Sequence, residues 1–323
     1  MRNKLINFLK IGVTLLGLGI VLTRFNLRAI GVTLQQADLA WLLVGFLLVN
    51  ASVVLRAFRW LLLIFGLHAQ VSFGRLVELY YVGSFFNVFL PSGFGGDVVR
   101  VLEVSRDIPA DIATGTVLVD RMTGLMMLFA LALFSLPFRP QDFPPQLLWI
   151  IVIICLSGLI AGFVLLEGTM LRTFSRLLPQ KMMSSGNGFM LNVTRAVDEC
   201  GWRAIGGAMI VSLLFNLLQA TWWTTSSYAL GLDVPFTYML LVVPLLSLAM
   251  LIPSIGGLGV REFLAPVLFS GAGLSAEEAI ALTLLVFALE RVSGLLGGPI
   301  YINATLRDRK KPRKEELQAA ETE

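Results

Sequence analysis

The sequence predicts an all-α, polytopic membrane protein with an inverted internal repeat and two broken, re-entrant elements. Three observations carry this. The 323 residues are 56% hydrophobic and only 14% charged, where soluble domains carry roughly 25% charged residues. Apolar runs of about 18 residues or more recur, the length a helix needs to cross lipid. Two of these runs break at a proline into small residues and then meet ionisable ones: Asn87-Val-Phe-Leu-Pro-Ser-Gly-Phe-Gly-Gly-Asp-Val-Val-Arg100 and Leu251-Ile-Pro-Ser-Ile-Gly-Gly-Leu-Gly-Val-Arg-Glu262. Pro91 and Pro253 each remove a backbone donor and disfavour helix just before them. Gly95, Gly96, Gly256, Gly257 and Gly259 let the chain turn and let other backbone approach.

The elements follow in order. Arg2, Lys4 and Lys10 precede an apolar run reaching Thr23, read as an uncleaved first span. Asp38 or Gln36 starts the next helix, apolar from Leu39 to Leu63 except for Arg56 and Arg59. With Trp60 these two read as a basic-aromatic anchor at the membrane surface, the alternative being a lipid-phosphate contact. Phe73–Leu90 leads into the first break, and 97–107 is too charged to cross lipid. Ile112–Phe138 is a span with Asp120 and Arg121 well inside it, and Leu147–Leu166 is a clean one. Glu167–Arg203 is a long, Arg-rich connection. Ala204–Leu230 is a span, Phe236–Ile252 leads into the second break, and Ala276–Thr305 is the last span, with Glu290 and Arg291 near its middle. The helical membrane domain thus occupies 1–306, with repeat motifs around 73–136 and 236–305. Residues 307–323 form a polybasic, then acidic tail.

Loop charge chooses the topology. If Phe73–Leu90 and Phe236–Ile252 each enter and leave on one side, about six segments cross and both termini are cytoplasmic. Most Lys and Arg then face the cytoplasm, as the positive-inside rule asks.

The repeat is visible in two matched motifs. Pro91-Ser-x-x-Gly95 matches Pro253-Ser-x-x-Gly257, and Asp120-Arg-Met-Thr-Gly-Leu125 matches Glu290-Arg-Val-Ser-Gly-Leu295. The basic residues after the breaks are out of register by one, Arg100 falling against Glu262. In the preferred topology the spans carrying Asp120 and Glu290 run in opposite directions, the inverted arrangement of many transporters.

An ionisable side chain at mid-membrane costs roughly 2.5–3.5 kcal/mol on insertion scales. Asp120, Arg121, Glu290 and Arg291 must therefore be paired, hydrated or facing a cavity. Asp120 and Glu290 read equally as structural counter-ions and as functional groups. Arg100, Arg121, Arg261 and Arg291 suit a phosphate, which a guanidinium grips bidentately. Asp97, Asp120, Glu262 and Glu290 would position those arginines or contact a cationic headgroup. Cys155 and Cys200 give neither a disulfide framework nor metal-ligand spacing, and His68 stands alone. No nucleotide-binding pattern is present. No cofactor, metal or nucleic-acid partner is expected.

The paired motifs Pro91-Ser-Gly-Phe-Gly-Gly-Asp97 with Arg100, Asp120-Arg121, and Pro253-Ser-Ile-Gly-Gly-Leu-Gly-Val-Arg-Glu262 resemble the lysylphosphatidylglycerol synthetase transmembrane-region family, also called flippase-like or UPF0104 membrane proteins. The likeness runs from the first span to Thr305. It implies a bacterial inner-membrane protein that moves a phospholipid, such as aminoacylated phosphatidylglycerol, or a lipid-linked headgroup between leaflets. Its partners would be membrane lipids and a separate lipid-modifying enzyme or glycosyltransferase. Such a carrier is not expected to be an enzyme. The rival readings are a membrane-embedded enzyme on lipid-linked substrates, with the carboxylates as acid and base, and an accessory subunit that scaffolds a partner.

Overall fold

The computed structural model describes residues 25–89, 95–139, 143–166, 189–248 and 258–310, with Gly19 and Thr23; of Leu147, 189–198 and 307–310 it gives the backbone. Pro91, Pro253, Gly256 and Gly257 lie outside the described residues, as do most of the first span, residues 167–188 and the tail from 311.

Among the described residues every element is helical: α1 Leu27–Gln35, α2 Leu39–Gly66, α3 Phe73–Phe89, α4 Gly95–Val104, α5 Ala110–Ser135, α6 Pro145–Leu166, α7 Phe189–Ala229, α8 Phe236–Leu248, α9 Val260–Phe269, α10 Ala276–Leu295 and α11 Gly297–Lys310. Local chemistry sets several starts. The Asp38 carboxylate accepts from the Ala40 and Trp41 N–H groups, and Ser275 with Glu278 forms a capping box for α10. Gly201 has φ 73° and ψ 152° within α7, a conformation open essentially to glycine alone.

Among the described residues five stretches are long and apolar enough to cross a membrane: Leu39–Gly66, Ala110–Phe138, Leu148–Leu166, Glu199–Ala229 and Ala276–Leu306. Each coincides with an expected span. The side-chain distribution is that of a protein dissolved in lipid. On α6, Trp149, Ile153 and Ile160 are about two-thirds exposed, whereas residues 241–248 of α8 are all buried. With 13 residues α8 is about 20 Å long, and α4 and α9, with ten each, about 15 Å. None of the three reaches across the ~30 Å hydrocarbon core by itself.

Tertiary contacts sort the helix ends into two levels. The Asp38 N–H donates to the Ala229 carbonyl, joining the start of α2 to the end of α7. Cys200 Sγ lies 3.5 Å from the Leu63 carbonyl, joining the end of α2 to the early part of α7. These helices therefore run antiparallel, between an Asp38 end and a Gly66 end of the bundle. Arg75 at the start of α3 pairs with Glu103 and Asp107 at and beyond the end of α4. The α3–α4 unit is thus a hairpin whose open ends lie together at the Gly66 end. Tyr238, at the start of α8, donates to the Leu268 carbonyl at the end of α9. The α8–α9 unit is a second hairpin, and it follows α7, so it opens at the Asp38 end. Helix α5 leaves the Gly66 end after Asp107. Helix α10 starts beside Asn26, whose N–H lies 3.5 Å from Glu277, so it leaves the Asp38 end. The helices carrying Asp120 and Glu290 accordingly run in opposite directions.

Candidate functional site: an arginine-rich cluster inside the bundle

Asp120 is the centre of the site and is 1% exposed. It accepts hydrogen bonds from Arg59 Nε at 2.7 Å, Tyr80 Oη at 2.6 Å and Arg100 Nη2 at 3.3 Å. Asp97 accepts from Arg100 Nη1 at 3.1 Å and from Arg121 Nε. Arg100 stacks on Tyr80, 3.7 Å from the ring centroid, and faces Trp60 at 4.2 Å. Trp60 is held in turn by its Nε1–H to Thr116 Oγ1 at 3.1 Å. Arg59 also donates to Ser212 Oγ on α7 at 3.0 Å. Arg56, one turn earlier, lies over Tyr80 and Phe215 at about 5.5 Å and donates to the Ser52 carbonyl.

The repeated acid-Arg-x-hydroxyl-Gly motif explains this arrangement locally. Adjacent residues on a helix diverge by about 100°, so Asp120 faces the interior while the Arg121 side chain stays 39% exposed. Gly124, one turn on, makes room: a Cβ there would stand 2.8 Å from Arg59 Nη1. Four guanidinium groups, on Arg56, Arg59, Arg100 and Arg121, surround the two carboxylates of Asp97 and Asp120. Among the described residues the cluster holds these four arginines and two aspartates, and the less buried of the arginines are Arg56 and Arg121.

The surface-anchor reading of Arg56, Arg59 and Trp60 is overturned. Arg59 is 6% exposed and Trp60 is fully buried. A buried carboxylate requires a counter-charge, and α2 supplies it to Asp120. Sequence reasoning also missed Tyr80. Only the structure, which carries α2 on to Gly66, sets Arg59 about 10 Å inside the helix end.

The second half holds a related but smaller set. Arg261, 1% exposed, pairs with Glu290 at 3.2 Å and lies 5.8 Å from the Trp223 ring. This repeats the Arg100–Asp120 pair: an arginine from the helix after the break meets the acid of the acid-Arg motif. Arg261, one residue before Glu262, thus makes the kind of contact that Arg100 makes. Glu262 instead accepts the Gly259 N–H at 2.6 Å and caps α9; Gly259 has φ 86°, which explains the glycine. Arg291 donates to the Asn87 carbonyl at 2.8 Å. The Asn87 side chain accepts the Gly96 N–H at 2.7 Å, so Arg291 ties the second half to the start of the helix carrying Asp97 and Arg100. Gly95 opens that helix. Gly96 lies so close to Gly83 that an added Cβ would overlap the Gly83 carbonyl oxygen.

Further along α5, that helix, α7 and the start of α8 border an open apolar groove of about 860 Å³, with Phe134 and Phe138 exposed at its rim. Among the described residues no group of His, Cys, Asp or Glu side chains is arranged to hold a metal.

Comparison with known proteins places the chain in a family. Residues 7–298 match the family described as the lysylphosphatidylglycerol synthase TM region. A UPF0104 membrane protein of Pyrococcus horikoshii is 25% identical over 301 residues, covering 83% of this chain and 88% of that protein. The matched region includes both hairpins, both acid-Arg motifs and the Arg59–Asp120 contact, and this multi-pass membrane protein belongs to the lysylphosphatidylglycerol synthase transmembrane-region family.

Proposed function

We propose that this protein is a lipid transporter of flippase type, moving a phospholipid or a lipid-linked phosphate headgroup between leaflets. The observation that supports this most is the gathering of four arginines in and beside one buried cluster. Four arginines against two carboxylates, deep in a bundle dissolved in lipid, are poised for an anion. A phosphate accepts from guanidinium groups bidentately. Arg56 and Arg121, the less buried pair, would receive it, while Arg59 and Arg100 hold Asp120. Both carboxylates of the cluster are engaged by guanidinium groups, which fits a binding frame better than acid–base turnover.

In this reading the two hairpins are re-entrant and the halves form an inverted repeat. Their opening at opposite ends of the bundle supports it, as does the antiparallel course of α5 and α10. The Gly66 end and both termini would face the cytoplasm, in a bacterial inner membrane, with a separate enzyme supplying or consuming the lipid. Reconstitution into liposomes should show leaflet exchange of a labelled anionic phospholipid. Arg56→Ala and Arg121→Ala should each slow it by about tenfold or more, the loss of one charge-assisted contact. Unchanged exchange in both folded variants would remove the cluster from transport.

A further inference from the structure

We infer that the groove between α5, α7 and α8 is an acyl-chain site, holding a hydrocarbon tail of the lipid whose phosphate the arginine cluster receives; this rests on the transport reading above. The helix register connects the two. Asp120, Met127, Leu131, Phe134 and Phe138 stand at helical spacing on one face of α5 and its terminal turn, and the last four line the groove. Along α7, Leu213 and Leu217 line it, directly after Ser212, which bonds Arg59. The groove therefore begins about 10 Å along α5 from Asp120 and runs towards the Asp38 end.

Its size fits one chain. Met127 and Phe138 are about 16 Å apart along the helix, half of the ~30 Å hydrocarbon core and so one leaflet's depth. The walls carry no charged side chain, and the Tyr238 hydroxyl is spent on the Leu268 carbonyl. So predominantly apolar a groove suits an alkyl chain better than a headgroup. Direction fits as well. The cluster belongs to the hairpin that opens at the Gly66 end. A lipid drawn in from that leaflet without turning over keeps its tails pointing at the Asp38 end. With its phosphate at the level of Asp120, its chains lie in the half of the membrane that the groove occupies. A free phosphate would need the cluster and not the groove.

The test uses the full chain in liposomes containing an anionic phospholipid with a diazirine near the end of its acyl chain. After illumination, label should concentrate on peptides holding Met127–Phe138 and Leu213–Leu217. The reference is the α6 peptide with Ile153 and Ile160, which bulk lipid wets. Ala130→Trp and Leu217→Trp, which fill the groove, should abolish the enrichment and slow leaflet exchange several-fold. Equal labelling of groove and α6 in the wild type overturns the proposal whether or not the variants fold. So does enrichment that survives filling, or exchange that proceeds unchanged in the filled variants. Selective groove labelling in a wild-type protein that exchanges no lipid would instead retain the chain site and discard transport.

Discussion

Asp120 and Arg121 are neighbours in sequence with opposite energetic roles. Asp120 is buried and satisfies three donors, so Asp120→Asn leaves the buried Arg59 without its counter-charge and Arg100 with Asp97 alone. Breaking such a buried pair costs about 3–5 kcal/mol, and the variant should show a clear fall in Tm in detergent. The Arg121 side chain is 39% exposed, and an ion pair at that exposure contributes about 1 kcal/mol or less. Arg121→Ala should therefore keep the wild-type Tm nearly unchanged while impairing lipid exchange. Equal Tm losses in the two variants would contradict this division. The sequence made both residues conspicuous, since ionisable groups inside an apolar run stand out. Arg59 and Tyr80 were not, because an arginine seven residues from a helix end and a tyrosine in an apolar helix both have ordinary explanations at a membrane surface.

At the scale of elements, two glycine contrasts follow. Gly201 bends α7 at φ 73°, a conformation costing about 1–3 kcal/mol in other residues. Gly206 lies in regular helix five residues on, and a methyl group added there would meet no other atom within 4 Å. Alanine at that position gains about 0.5–1 kcal/mol of helix propensity. Thermal unfolding should thus rank Gly206→Ala at or above wild type and Gly201→Ala below it. The α3–α4 hairpin depends on a different contact. Asn87→Ala removes the acceptor of the Gly96 N–H, and leaving a partly buried donor unsatisfied costs about 1–3 kcal/mol. Hydrogen exchange should report faster opening of α4 in that variant, with α6 unaffected. The long apolar helices were legible from hydropathy alone. The hairpins were legible only as proline-glycine breaks; that each one folds back to its own starting end depends on Arg75 meeting Asp107 and on Tyr238 meeting Leu268.

At the scale of the whole molecule, the grouping of helix ends makes a topological prediction. His68 and Asp107 belong to the Gly66 end, while Arg139 and Asp233 belong to the Asp38 end, and all four are exposed. Single cysteines at Arg139 and Asp233 should react with an impermeant maleimide added to intact cells, and cysteines at His68 and Asp107 should react after permeabilisation. Native Cys155 and Cys200 are buried and should contribute little background. Labelling of all four positions from outside would refute the two-ended arrangement.

The sequence by itself determined the class and the long apolar spans, and it made most of the clustered ionisable residues conspicuous. Hydropathy reports the solvent a helix lives in, and a charge in lipid is too costly to go unnoticed. Only the tertiary structure decided which charges meet. Pairing Arg59 with Asp120, Arg261 with Glu290 and Arg291 with Asn87 requires helices distant in sequence to pack side by side, and a one-dimensional pattern carries no record of the rotation and depth that bring those groups within a hydrogen bond of one another.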